Sequence, residues 1–173
     1  MVTTAVCYNK SMNILTDARL AWLAALIDGE GSVMLIKRVP SATAKTQRNP
    51  HYRAVVGIYN TDVRLMDAIV EHTGINRVYS HTRLERENHK KTAYSWRMVA
   101  EDIRTLGPLL LPWLVCKKEQ MALLLEALEL ASLNTPRKGE KLVRQPTTRR
   151  DEIAVAISEL NRKGRFTITE VSE

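Results

Sequence analysis

The sequence is poor in cysteine: Cys7 and Cys116 are the only two in 173 residues. Two cysteines make neither a disulfide framework nor a zinc centre, and the four histidines lack metal-ligand spacing. Long apolar runs are missing as well. The best candidate, Leu106 to Cys116, carries Pro108 and Pro112 and falls well short of the roughly 18 residues that span a bilayer. No apolar stretch lies between Lys10 and Arg19, so no secretory leader is expected. These absences exclude a stapled secreted module, a zinc finger and a membrane span. The expectation is an intracellular protein with no membrane partner.

What is present suits one domain with a sizeable core: 19.6 kDa, 45% hydrophobic and 26% charged residues. Lys+Arg number 26 against 19 Asp+Glu, a formal charge of +7. The excess has an address. Residues 1–31 carry −1, residues 32–98 carry +7, and residues 99–173 carry +1. The middle segment also holds all four histidines, the tyrosines from Tyr52 to Tyr94, and Trp96. A basic surface of this kind suits nucleic acid.

Residues 1–15 lack periodicity and read as a flexible lead-in. A helix capped by Thr16 or Asp17 runs to Asp28 and stops at Gly29 and Gly31. Strands are expected over Ser32 to Val39 and His51 to Asn60, joined by a polar loop, and over Arg77 to Leu84 and Thr92 to Val99. Between the hairpins, a helix follows Thr61-Asp62 and ends at Gly74. Ala100 to Leu111 is expected as a short helix broken by Gly107-Pro108, and Lys117 to Leu133 as a strong one. A basic linker over 134–150 leads to a last helix, Asp151 to Lys163, within a C-terminal stretch 151–173. The order implies an α+β fold: an antiparallel four-stranded sheet with helices packed on one face and the other face free. In this phase Arg38, Arg53, Tyr59, Arg77, Tyr79, His81 and Arg97 project from the free face. Arg83 and Ser95 are further candidate contacts on these strands. Such a ribbon fits the major groove of DNA. Lys45, Gln47 and Arg48 in the first hairpin loop reach toward more distal bases or phosphates. Lys118, Arg149 and Arg150 are additional candidate contacts. Cys116 is expected to be buried and inert.

Residues 23–31 read Leu-Ala-Ala-Leu-Ile-Asp-Gly-Glu-Gly. Ala21, Ala25 and Gly29 recur every four residues, as do Ala24 and Asp28, so two such helices can approach closely. The segment resembles the signature of the LAGLIDADG homing endonucleases in seven of nine positions, counting Glu for Asp. Trp22 before it and Ser32-Val33 after it fit the same context. A single copy is present, as in the homodimeric members of that family. The resemblance implies the αββαββα LAGLIDADG fold over residues 16–133. It implies a site-specific nuclease that makes double-strand breaks in a long, partly palindromic DNA target and leaves short 3′ overhangs. Hydrolysis would depend on Mg²⁺, with Mn²⁺ able to substitute and Ca²⁺ binding without supporting cleavage. In that scheme Glu30 and the Gly29 carbonyl are metal ligands. Ala21, Ala24, Ala25 and Asp28 form the dimer interface.

The segment Pro112-Trp113-Leu114-Val115-Cys116-Lys117-Lys118-Glu119-Gln120 is similar to the family's lysine-bearing segment. Its register places the catalytic lysine at Lys117, which orients and polarises the attacking water. Asn60 matches the place of an active-site Gln or Asn, and Arg64 is the nearest basic residue after it. An RNA maturase acting on intron RNA, or a nuclease-dead DNA-binding regulator, are the alternatives on the same fold.

Overall fold

A computed structural model describes residues 15–38, 51–82, 92–133 and 148–163. The lead-in before residue 15, the loop with Lys45, Gln47 and Arg48, Arg83, the turn 85–91 and residues 134–147 of the linker lie outside the described residues.

Helix α1 (Asp17–Glu30) opens where the Thr16 side chain accepts from the Arg19 amide at 3.4 Å. It continues past the first expected stop, Gly29, to Glu30. Gly31 is the true exit: its N–H closes on the Ile27 carbonyl. A Cβ at Gly31 would sit 2.6 Å from that backbone oxygen, so glycine is needed there for want of space. The chain enters β1 (Gly31–Arg38) directly, then β2 (His51–Asn60), α2 (Val63–Thr73), β3 (Val78–Thr82) and β4 (Thr92–Met98). α2 is capped by the Asp62 side chain and ends at Gly74, whose φ of 70° is the left-handed conformation glycine tolerates. Three helices follow: α3 (Ala100–Leu110), α4 (Lys118–Leu133) and α5 (Thr148–Lys163).

The strands pair antiparallel in the order β1-β2-β4-β3, with Val33 opposite Val56, Ile58 opposite Trp96 and Tyr79 opposite Ser95. Alternation sorts the side chains. Val33, Leu35, Ala54, Val56, Ile58, Trp96 and Met98 face the helices and join one core with Leu23, Ile27, Met66, Ile69, Ile103, Leu124 and Ile153. The Trp96 indole donates to the Ile75 carbonyl at 2.9 Å, satisfying the one polar atom of the largest core residue. Ser32, Met34, Ile36, Arg38, Arg53, Gly57, Tyr59, Tyr79, His81, Ser95 and Arg97 lie in the opposite phase, on the open face.

Two helices depart from the sequence reading. α3 is not broken at Gly107-Pro108; it runs to Leu110 with Pro108 inside. Proline in a helix interior costs about 3 kcal/mol in propensity, but here it falls in the last turn. The next bond, Leu111 N–H to the Gly107 carbonyl at 3.0 Å, is intact. Leu106, Gly107 and Leu110 are buried, and a Cβ at Gly107 would meet Leu125 of α4 at 2.9 Å. Packing on α4 outweighs the local cost. α5 begins at Thr148, not Asp151, because Arg149 reaches back to Glu126 of α4 and extends the helix into the expected linker. It packs against β1 and α4. Its Asn161 side chain donates to the Val33 carbonyl of β1 at 3.0 Å.

Candidate active site and nucleic-acid interface

The last turn of α1 and the segment before α4 meet through one carboxylate. Asp28 accepts the Val115 amide at 2.7 Å and the Lys117 amide at 2.8 Å. The Lys117 ammonium donates to the Asp28 carbonyl at 2.5 Å. Carbonyls in the final turn of a helix lack intrahelical donors and carry partial negative charge, so a lysine there satisfies both. The ammonium is thereby fixed two residues from Glu30. The Glu30 carboxylate is exposed and has no ion pair among the described residues, and neither does Gly29 meet any atom within 4 Å of a built Cβ. An acid and a lysine 87 residues apart in sequence thus share one helix end.

Among the described residues no three His, Cys, Asp or Glu side chains converge as a metal cluster. One chain offers a carboxylate and terminal carbonyls, all hard oxygen donors of the type Mg²⁺ takes, with room for oxygens supplied from elsewhere. Asn60 lies at the end of β2, two residues past Ile58, the partner of Gly31. Its Oδ1 is engaged in a turn, accepting the Asp62 amide at 2.9 Å. Arg64 folds back onto Asp62 at 2.6 Å, which holds the Asp62 carboxyl below the usual carboxylate range and ties Arg64 to the cap of α2.

Of the expected interface residues, Ala25 is exposed and Ala21 half-buried. Ala24 and Asp28 are corrections. Ala24 is fully buried in its own chain's core, because α1 is apolar on every side and needs an inner face as well as an outer one. Asp28 is the intrachain clamp just described, a role that neither its charge nor its spacing announced. The outer face of α1 presents Ala18, Ala25 and Gly29, with Trp22 half-buried against the His72 ring at 4.7 Å. Near it the 112–117 segment exposes Trp113 and Val115 at 40% and 83%. Cys116 is exposed too, not buried, because the two amides flanking it turn inward to Asp28.

On the open face Arg38, Arg53, Tyr59, Tyr79, His81, Ser95 and Arg97 take the expected phase. Ser95 is fully buried and bonded to the His81 imidazole at 2.9 Å. Arg77 is a correction: its guanidinium pairs with the buried Asp102 of α3, whose other partner is the Val99 amide. Hydrogen bonding to Asp102 raises the Arg77 pKa above its ordinary value. Arg149 and Arg150 belong to the helical layer, away from the open face. Arg149 pairs with Glu126 and Glu152. Arg150 stacks over the Tyr52 ring, 4.2 Å from its centroid, where burial lowers its pKa. Lys118 opens α4 and is exposed. The sequence reading missed a further cluster here: Asp151 accepts from the Tyr52 hydroxyl and pairs with Lys37, both at 2.5 Å.

No protein-family model matches the sequence, and no curated protein matches it significantly. Solved structures do. The homing endonuclease I-CvuI, in complex with the I-CreI target and 2 mM Mg, superposes with a TM-score of 0.58 at 16% identity over 87% of each chain. The archaeal intron-encoded homing endonuclease I-Vdi141I, complexed with DNA, gives 0.51 at 14% identity over 84% of this chain and 98% of its own. The LAGLIDADG homing endonuclease I-LtrWI, bound to target DNA, gives 0.51 at 19% over 67% and 38%. The fold is the LAGLIDADG fold, with its four-stranded antiparallel sheet.

Proposed function

We propose that this chain is a homodimeric, Mg²⁺-dependent endonuclease that cuts both strands of a long, partly palindromic DNA site and leaves short 3′ overhangs. One observation carries the reading: the Lys117 ammonium is fastened to the end of the helix that presents Glu30, directly beside an open sheet face bearing arginines and tyrosines. An acid, a lysine and a groove-sized basic surface in one place suit phosphodiester hydrolysis better than nucleic-acid binding alone. Other proteins with this fold have been crystallised on DNA targets with Mg or Ca, which supports DNA as substrate and a divalent ion as cofactor.

Glu30 and the Gly29 carbonyl would hold Mg²⁺, which supplies positive charge at the phosphoryl oxygens and favours ionisation of the attacking water. Lys117 keeps its ammonium beside the scissile phosphate and balances charge that develops in the transition state. Asp28 holds Lys117 in place through its backbone. The apolar outer face of α1, continued by Trp113 and Val115, is the surface on which a second copy would dock. Docking brings two Glu30 carboxylates together, one for each strand.

Glu30→Gln keeps shape and removes charge. Purified Glu30→Gln should bind the selected target as the parent does and cleave at least 10³-fold more slowly, a loss of about 4 kcal/mol in transition-state stabilisation. Retained nicking by the pure variant would reject the assignment.

A further inference from the structure

The open face holds one arginine in a built setting. Arg97 stands on β4, directly opposite Gly57 of β2, which in turn faces Ser32 of β1. Its guanidinium carbon lies 5.1 Å from the centroid of the Tyr79 ring and 5.9 Å from that of Tyr59. Gly57 makes this possible, since the Tyr59 ring folds across it and a Cβ there would approach Tyr59 Cε2 to 3.3 Å. Among the described residues the Arg97 Nε is enclosed and without a hydrogen-bond partner, as is the Ser32 Oγ on the same rung. Two aromatic faces hold the cation by their quadrupoles and remove its rotamer freedom before any ligand arrives.

We infer that Arg97, clamped between Tyr59 and Tyr79, is a specificity-determining residue that reads a guanine end-on, its two terminal nitrogens donating to O6 and N7. The inference rests on the DNA-cleaving function proposed above. With Nε closed off, only the terminal fork is free to donate, and a planar fork matches the paired acceptors of guanine in the major groove. Placement selects a base edge over a phosphate. Four strands spaced about 4.8 Å apart span roughly 14 Å, a little more than the groove, which is about 12 Å wide. The edge strands β1 and β3 therefore meet the backbone walls, while the inner strands β2 and β4 lie along the floor. Arg97 is on an inner strand. Its rung begins at Ser32, two residues after Glu30, so the guanine lies near the inner end of each half-site.

The test is selection of bound duplexes from a randomised library by the full chain, followed by sequencing. The parent should select one guanine near the inner end of each half-site, and replacing that G·C pair in a fixed target should weaken binding roughly tenfold to a hundredfold. Arg97→Lys keeps the charge and loses the fork, so it should become indifferent at that position with the rest of the consensus intact. Tyr79→Phe keeps the ring and should preserve the preference, whereas Tyr79→Leu should relax it. A parent consensus reproduced unchanged by Arg97→Lys would overturn the inference and leave the nuclease reading standing. So would a loss spread evenly over all sequences, the mark of a phosphate contact. A parent that selects no sequence would overturn both.

Discussion

Asp28 holds the start of α4 through two amides and, through its own carbonyl, a lysine. An asparagine there offers one oxygen where two amides need acceptors, so one would be left facing an NH₂ group. Asp28→Asn should therefore cost about 1–3 kcal/mol in chemical denaturation. It should slow cleavage more than it weakens DNA binding, because Lys117 loses its mooring. An unchanged denaturation midpoint would contradict the clamp. Glu30 and Lys117 were singled out through the motif and the lysine-bearing segment, and the fold brings the Lys117 ammonium to the last turn of the helix that ends at Glu30. The clamp itself was not legible in the sequence. An acid within a recognised motif reads as interface, and only the folded chain brings to it amides 87 and 89 residues away. Arg77 and Arg149 were misjudged for a related reason. Strand phase and charge give a side chain a direction, but a carboxylate on another element takes it away.

At the scale of elements, the exit of α1 and the docking of α5 decide where the site sits. A methyl group at Gly31 collides with backbone that has no rotamer to yield, so Gly31→Ala should destabilise by about 1–3 kcal/mol and displace Glu30. Denaturation and cleavage assays on the variant measure both. α5 is fastened by Asp151 to Lys37 and Tyr52. The hydrogen bonds from Lys37 and Tyr52 hold the Asp151 carboxyl below its ordinary 3.8. A depressed carboxylate stabilises the fold above its unfolded value and loses that contribution as pH falls below about 4 toward the folded value. Burial and the bond to Asp151 raise Tyr52, and the bond to Asp151 raises Lys37, so the cluster is intact at neutral pH. Thermal melting between pH 7 and pH 2 should show a shallower acid loss in Asp151→Asn than in the parent; identical slopes would refute the assignment. The element order was readable from periodicity and caps, since strands with β-branched runs and helices with Asp or Thr starts declare themselves locally. The uninterrupted α3 and the early start of α5 were not, because each is settled by a neighbour, Leu125 in one case and Glu126 in the other.

For the whole molecule, an α1 that is apolar on both sides has one side without cover in a single chain. Ala25→Glu puts a charge on that outer face while leaving the core untouched, so the variant should fold, run at the 19.6 kDa chain mass in gel filtration and lose double-strand cleavage. The parent should run at twice that mass. DNA affinity of the parent should fall with salt at a slope of about −0.9 per phosphate neutralised, and a salt-independent complex would contradict a charged groove-binding face. The clamp at Asp28 also gives the site a position in time. During synthesis the acid helix and the basic sheet leave the ribosome first, and residues 115–117 leave more than eighty residues after Asp28. A chain cut short before residue 115 carries the acid without its lysine and without the core residues Leu124 and Ile153, so incomplete products would leave the genome whole.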